Sequence, residues 1–203
     1  MDIIKILTLA IVQGITEFIP ISSSGHLVVL EAWFEKEAVL FSDLTELTIA
    51  LHAGTLLAVM LVYWQSLVEL VNQKRPLLIP LGVATIPAAI AGVLVVLLEG
   101  GEYLMDPRLT GAMFIVTGVV LWMGEPQQTD MGNTEQIQTV SIRQAAWIGI
   151  AQAFAIVPGL SRSGLTIVVA RRIGLPGRQA AQFSFLMSIP VIAGAVVVLL
   201  CKQ

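Results

Sequence analysis

Long apolar runs separated by short polar interruptions fill this chain, and the runs are too long and too evenly apolar to be helices with one face on a soluble core. Uncharged windows at 47–64, 77–98, 109–123, 144–160 and 183–200 reach or approach the roughly 20 residues that cross a hydrocarbon layer about 30 Å thick. Each is predicted as a helix. Gly, Ala and Ser recur in them in place of bulkier residues, which lets neighbouring helices approach closely. Pro80 and Pro87 predict kinks within 77–98, which a bundle can absorb. At the N-terminus the pattern is different. Residues 1–18 read as a short apolar helix, Pro20 interrupts it, and Ser22, Ser23, Ser24 and Gly25 suit a loop and the start of a half-helix through His26 to Leu30. Helix, break and helix, each too short to span, is the pattern of a re-entrant hairpin. Irregular backbone of this kind is tolerated at membrane depth only where protein buries it or a cavity hydrates it.

The polar interruptions carry the topology. Residues 31–46 are acidic, with Glu31, Glu35, Glu37, Asp43 and Glu46 against Lys36. Tyr63 and Trp64 stand as interfacial anchors, and Lys74 with Arg75 reads as cytoplasmic by the excess of basic residues on that side. Residues 99–108 form a polar turn, and 125–143, rich in Gln and Thr, reads as a flexible loop. After that loop the chain begins again. An offset of 139 superposes Gln13 on Gln152, Ser22 on Ser161, Ser24 on Ser163, Gly25 on Gly164 and Val29 on Val168. The segment after the first motif is acidic, whereas the one after the second carries Arg171, Arg172 and Arg178. Opposite charge bias in matched loops predicts an inverted-topology repeat with its site near the bilayer midplane. The expectation is one membrane domain over 1–203: repeat one at about 1–125, a linker at about 125–143, and repeat two at about 144–203. The second copy lacks counterparts of the last part of the first, so a cut-down or unusually short chain is expected.

Composition sharpens this. The chain is 56% hydrophobic and 12% charged with mean hydropathy +0.86, against about 25% charged in soluble domains. This is an integral membrane protein, all-α and polytopic. A net charge of −3 and a pI near 5.3 argue against nucleic-acid binding, which leaves a basic patch. Cys201 is the one cysteine, which excludes an intramolecular disulfide and a cysteine metal pair; it reads as apolar filler. Residues 1–18 lack a convincing small-residue cleavage site and are expected to remain as helix.

Ionisable groups inside apolar sequence cost several kcal/mol unless they face a polar cavity, so they mark candidate function. Glu17, His26 and Arg162 are the strongest of these. Glu17 and Gln13 are one helical turn apart and share a face; their oxygens suit a divalent cation, Mg2+ with Ca2+ as the alternative, whose shell substrate phosphates and water complete. Two serine-glycine breaks, Ser22, Ser24 and Gly25 in one and Ser161, Ser163 and Gly164 in the other, each open a half-helix, and helix N-termini bind anions. Arg162 adds a cation with a fork of donors matched to phosphate. Ser23 and His26, three apart on a half-helix, share a face, which suits the imidazole to act on the hydroxyl or on a leaving oxygen. Together these suffice for phosphoryl transfer. Blander readings stand beside them. Serines in membrane helices ordinarily bond the preceding turn or glue neighbours, and Gln152 reads either as a cavity partner of Gln13 or as an interhelical hydrogen bonder. His52 is set aside as a packed or pore-facing hydrogen bonder. Arg171, Arg172 and Arg178 are taken as orientation signals.

The segment 13–26, QGITEFIPISSSGH, with PGLSRSG and the following FSFLMSIP, resembles the undecaprenyl-diphosphate phosphatase family known for bacitracin resistance, over nearly the whole chain. The resemblance implies hydrolysis of undecaprenyl diphosphate to the monophosphate on the outer side of the bacterial plasma membrane, recycling the lipid carrier of cell-wall synthesis. It places the family's paired acidic motif on Gln13 and Glu17, its serine motif on Ser22 to Gly25, its histidine on His26 and its essential arginine on Arg162. Ser23 is the proposed nucleophile in that family, with a role for His26 also proposed. The expected partners are a polyprenyl diphosphate and membrane lipids, with a homodimer allowed and no nucleic acid. The competing class is a polyprenyl-phosphate flippase or transporter, in which the same cradle carries the lipid phosphate without cleaving it.

Overall fold

Several helix starts in this chain coincide with side chains that accept from the first free backbone N–H groups. The computed structural model describes residues 3–34, 41–98, 100–124 and 140–200, and among these there are ten α-helices and no strand. In order they are α1 (Ile3–Thr16), α2 (Ser23–Phe34), α3 (Phe41–Val62), α4 (Trp64–Asn72), α5 (Leu78–Leu97), α6 (Gly101–Leu104), α7 (Pro107–Met123), α8 (Ile142–Phe154), α9 (Arg162–Arg172) and α10 (Gly177–Leu200). Asp106 caps α7 by accepting from the Arg108 N–H at 2.7 Å, with Pro107 in the first turn where its missing N–H costs nothing. Ser141 and Gln144 form a capping box at α8, and Ser161 caps α9 by accepting from Gly164 N–H. The linker residues 125–139, the acidic stretch 35–40 and Cys201 lie outside the described residues, and so do the side chains of 41–46.

The apolar windows become helices with two corrections. The 144–160 window is not one helix: α8 stops at Phe154 and α9 starts at Arg162. The intervening residues are as apolar as a helix interior, so hydropathy does not register the break; hydrogen bonds from other helices hold it open, as described below. The 47–64 window ends at Val62, where the chain bends by 68° into α4. Pro80 lies in the first turn of α5 and the helix continues through Pro87 to Leu97. Arg143, expected in the loop, falls within α8.

Two helical segments, Arg75–Leu97 and Gly177–Val197, are long and apolar enough to cross a membrane, and the bent pair Leu47–Val62 with Trp64–Asn72 makes a third if counted as one span. The side-chain pattern agrees with a lipid surround. On α5, Ile86, Ile90, Val93 and Leu97 point outward while Leu81 and Ala84 are buried. On α1, Ile4, Leu7, Ile11 and Ile15 are exposed while Gln13 and Thr16 are buried. Helices with apolar residues outside and polar residues inside invert the soluble pattern, and such a surface is stable only in lipid or against further protein. The protein is a membrane protein.

Packing among α4, α5, α8, α9 and α10 surrounds a core that includes Leu81, Ala84, Ile148, Ala170, Phe183 and Met187. The α5–α8 crossing is the tightest, because Gly149 lies on the α5 backbone: a Cβ there would sit 2.6 Å from the Ala84 carbonyl oxygen. One turn later Gln152 Nε2 donates to that same carbonyl at 3.3 Å. Gln152 is therefore the interhelical hydrogen bonder of its two readings. Against this block, α2 packs on α1 and α7, and α7 on α9, so α7 lies between the two helix-break-helix units.

Candidate active site

The two breaks meet. Residues 17–22 join α1 to α2, residues 155–161 join α8 to α9, and the contact between them is made without intervening side-chain bulk. A Cβ on Gly25 would lie 2.7 Å from Gly159 N and 2.8 Å from Phe114, and one on Gly164 would lie 3.2 Å from the Pro20 carbonyl. Backbone thus meets backbone at both places. Gly159 has φ +94, the left-handed region that glycine enters freely.

Hydrogen bonds lock this junction. Ser22 holds φ 66, a conformation that costs a non-glycine residue about 1–2 kcal/mol. Its Oγ accepts from Gly159 N–H at 3.1 Å and from Gly25 N–H at 3.3 Å, which offsets that cost. Its carbonyl accepts from His26 twice, from the backbone N–H at 3.3 Å and from the ring Nδ1 at 2.7 Å. From α7, Thr117 Oγ1 donates to the Gly159 carbonyl at 2.7 Å and accepts from Ser161 N–H at 3.0 Å. Gly25→Ala is expected to push the two breaks apart and lower turnover about 100-fold, the scale of a 1 Å misplacement of reacting groups. Circular dichroism of the same variant should show unchanged helix content.

Glu17 is the hub of the junction. It follows the last residue of α1, its N–H bonds to the Gln13 carbonyl at 2.9 Å, and it is 6% exposed. Its Oε2 accepts from the Ser23 hydroxyl at 2.6 Å and from Gln13 Nε2 at 3.0 Å. Its Oε1 accepts from Arg162 Nη2, which arrives from 145 residues away in sequence. The fourth neighbour is His52 on α3, with Nε2 3.4 Å from Oε2. A carboxylate this buried is stable only when paired and hydrogen-bonded, and here the second motif supplies the cation while the first supplies the hydroxyl.

Free donors surround this pair. The first-turn N–H groups of Ser23 and Ser24 on α2, and of Arg162 and Ser163 on α9, have no carbonyl one turn back within their helices. Two helix N-termini, with Arg162, therefore converge on one place, which is what an anionic group of a substrate needs.

Comparison with known proteins follows the same motifs. The family described as "Bacitracin resistance protein BacA" matches residues 6–203. The undecaprenyl-diphosphatase of Rhodopirellula baltica is 41% identical over 196 residues, covering 97% of this chain and 73% of the relative. That of Carboxydothermus hydrogenoformans is 40% identical over 202 residues, with 97% and 73% covered, and that of Halothermothrix orenii 36% over 198 residues, with 96% and 73%. The chain belongs to the BacA family.

In this BacA-family chain the structure brings Gln13, Glu17, Ser23 and Arg162 into direct contact and separates the serines by task. The hydroxyls of Ser22 and Ser161 accept from backbone N–H groups, and Ser163 Oγ lies 3.4 Å from Ser161 Oγ. Ser24 is half-buried at the helix start. Gly25 and Gly164 provide the close approach. His26 stacks edge-on against Phe114, ring centroids 4.9 Å apart. The sequence expectation of an imidazole acting on the Ser23 hydroxyl does not match this geometry, because the single hydroxyl proton of Ser23 points at Glu17. Since the Ser22 carbonyl only accepts, His26 Nδ1 carries the proton and Nε2 presents a lone pair when the ring is neutral.

Two BacA-family site neighbours escaped the sequence reading. His52, set aside there, contacts Glu17. The intramembrane-ionisable signal that flagged Glu17 was present at His52 too. Thr117 gave no such signal: a threonine in a membrane helix is ordinary, and only its two bonds to the 155–161 turn distinguish it.

Proposed function

We propose that this chain hydrolyses undecaprenyl diphosphate to undecaprenyl phosphate and inorganic phosphate, as the names of its relatives describe for those proteins. It is thus a membrane-integral hydrolase serving lipid-carrier recycling in cell-wall synthesis. One observation carries the mechanism: Glu17 holds the Ser23 hydroxyl on one oxygen and the Arg162 guanidinium on the other. A buried base, a hydroxyl aimed at it and a fixed cation are the parts of a phosphoryl transfer.

In the reaction, Arg162 and the first-turn N–H groups of α2 and α9 bind the terminal phosphate. Ser23 Oγ attacks the terminal phosphorus in line, Glu17 takes the hydroxyl proton, and the bridging P–O bond breaks to release undecaprenyl phosphate. Water then attacks the phosphoserine and gives a proton to the His26 Nε2 lone pair, the Ser23 Oγ–phosphorus bond breaks, Glu17 returns its proton to Ser23 Oγ, and inorganic phosphate leaves. Ser22, Ser24, Gly25, Ser161, Ser163 and Gly164 shape the cradle by the caps and close contacts above.

A divalent cation, Mg2+ with Ca2+ as the alternative, fits this site in part. Among the described residues no cluster of three His, Cys, Asp or Glu exists, so protein carboxylates alone do not enclose one. Gln13 Oε1, however, is buried without a partner. Turning the amide over would set that oxygen against Glu17 Oε2, so the orphaned acceptor is its proper orientation. Gln13 Oε1 and Glu17 are the residues that would hold the ion, with diphosphate oxygens and water completing the shell. When bound it supplies neutralisation of diphosphate charge.

The finer topology belongs to the same reading: two re-entrant hairpins, α1–α2 and α8–α9, related by an inverted-topology repeat, in a multi-pass protein of the bacterial plasma membrane. It is supported by reciprocal contacts. Under the offset of 139, Gly25 and Pro20 match Gly164 and Gly159, and Gly25 meets Gly159 while Gly164 meets Pro20, as a two-fold relation requires. Ser23 and Arg162 are also matched positions, and both bind Glu17. Basic residues gather at one end, where Gln144 of α8 donates to the Ile173 carbonyl at 3.1 Å and Arg172 bonds to the Met123 carbonyl; Lys74, Arg75, Arg143, Arg171 and Arg178 lie on the segments beside them. That end reads as cytoplasmic. Along α9, Arg162 lies about 15 Å from Arg172 at 1.5 Å per residue, half of a ~30 Å hydrocarbon layer. An opening of the site to the outer side is what the family resemblance implies.

Purified protein in liposomes containing undecaprenyl diphosphate tests the reading. Release of inorganic phosphate is expected, with EDTA reducing it about 100-fold, the scale for removing one charge-stabilising group, and Mg2+ or Ca2+ restoring it. Transfer of the lipid between leaflets with no phosphate released would instead indicate a carrier. The carrier alternative is not favoured, since the relatives are named for hydrolysis.

A further inference from the structure

The first hairpin is tied at its open end as well as at its tip. Lys5 on α1 and Glu31 on α2 form an ion pair, Nζ 2.7 Å from Oε2, with side chains 12% and 2% exposed. Among the described residues nothing else bonds to the Glu31 carboxylate. The pair ends two inward stripes. Lys5, Leu9, Gln13 and Glu17 follow one another at one helical turn along α1, and Ser23, Leu27 and Glu31 do so along α2; none of the seven is exposed. The second hairpin is tied at the matching place. The offset of 139 carries Lys5 onto Gln144, whose Nε2 crosses from α8 to the Ile173 carbonyl at the end of α9 at 3.1 Å.

Stability does not account for the charges. Replacing a buried ion pair by apolar residues of similar volume is often neutral or stabilising, and what the charges add is a fixed register. Helix α1 needs one. It carries Gln13 and Glu17, yet it packs mainly on α2 and α3 and stands apart from the core among α4, α5, α8, α9 and α10. Its outer face, with Ile4, Leu7, Ile11 and Ile15, meets no neighbour that would hold it. Leu9 is fully buried and marks the point about which α1 tilts. Lys5 lies four residues to one side of it and Glu17 eight to the other, about 6 and about 12 Å at 1.5 Å per residue. A tilt that moves Lys5 by about 1 Å therefore moves Glu17 by about 2 Å. The Ser23–Glu17 hydrogen bond, at 2.6 Å, has no such slack.

We propose that the Lys5–Glu31 pair positions the reacting groups: it fixes the tilt of α1, and through it the place of Glu17 against Ser23. This rests on the Ser23–Glu17–Arg162 reading above and adds to it a determinant of the chemical step about 18 Å along α1 from Glu17. Neither residue lies in the phosphate cradle, so loss of the pair changes kcat and leaves KM in place.

The test measures turnover of undecaprenyl diphosphate by the full protein in detergent, with a thermal midpoint for each variant. Lys5→Met combined with Glu31→Leu removes both charges at similar volume, so neither is left unpaired. Its midpoint is expected to stay near that of the wild type. Its kcat is expected to fall about 10–100-fold, up to the cost of misplacing a reacting group by 1 Å, with KM within about twofold. Lys5→Arg keeps a cation on the same carboxylate and is expected to keep most of the rate. Adding Glu17→Gln to the apolar pair should cost little more than Glu17→Gln alone, because the pair acts through Glu17. The proposal is overturned by wild-type kcat in the apolar pair, by a loss mainly in KM, or by a loss matched by a fall in the midpoint. It is equally overturned by Lys5→Arg as slow as the apolar pair, or by losses that multiply when Glu17→Gln is added. Glu17→Gln alone separates the two levels. If it turns over at the wild-type rate, the reading of the site has failed; if it is inactive while the apolar pair is unaffected, only the role of Lys5 and Glu31 has.

Discussion

Glu17→Gln should reduce phosphate release from undecaprenyl diphosphate by about 10³-fold or more, the largest effect of any single substitution in this protein. A positioned general base contributes about 10²–10⁴-fold, and glutamine keeps the volume and the hydrogen-bonding reach while removing proton affinity. The loss extends past the base. Ser23 and Arg162 both bind this carboxylate, so the substitution also frees the guanidinium to turn away from the phosphate cradle. A 10³-fold loss is about 4 kcal/mol of transition-state stabilisation. Stability should fall as well, since removing one partner of a buried ion pair leaves the other charge uncompensated. Turnover assays therefore belong with a thermal midpoint in the same detergent. Combining Glu17→Gln with Ser23→Ala should cost little more than either alone, because residues that act as one unit are strongly non-additive. Simple multiplication of the two losses would mean that they act in separate steps.

Arg162→Lys should cost about 10²–10³-fold in kcat/KM, the second largest expected effect. Lysine keeps the charge, so a purely electrostatic role would leave most activity in place. The structure asks more of this side chain. One N–H is spent on Glu17 Oε1, and the remaining donors of the planar fork are left for phosphate oxygens. An ammonium is a compact point charge on a flexible stem and cannot keep both contacts in fixed directions. The expected size follows from losing one aligned charge-stabilising group in a water-poor site. Steady-state kinetics should show kcat and kcat/KM falling together, since the missing contact matters most as charge develops. A lysine variant within tenfold of wild type would reduce Arg162 to a counter-charge.

Much of the site can be read in the residues themselves, because the cost of burying a charge in lipid is local. Glu17 and Arg162 stand out against their apolar neighbours whatever the fold, and the serine-glycine pairs after Pro20 and Pro158 mark helix starts by capping chemistry alone. Other features have no complete local signature. Hydropathy runs straight through the end of α8 at Phe154; Pro158 and Gly159 break the helix locally, but what fixes the direction of the turn is outside it, since Thr117 and Ser22 bind its backbone. The division of work among Ser22, Ser23 and Ser24 is equally hidden, since three adjacent serines look alike until φ 66 at Ser22 turns its hydroxyl to the other break and leaves Ser23 facing Glu17. His52 was visible as an ionisable residue, but its partner lies on another helix, 35 residues earlier in sequence.

The sequence by itself determined that this is an all-helical membrane protein of the BacA family, that helices start at the two serine-glycine breaks, and which polar side chains stand inside the apolar layer. Those properties depend on periodicity, hydropathy and capping within a few residues. Only the tertiary structure decided which of the polar groups share one carboxylate, because a pairing across 145 residues is set by how closely two backbones approach at Gly25 and Gly159. A partner's direction and distance, unlike the cost of lacking one, are not written in the neighbouring residues.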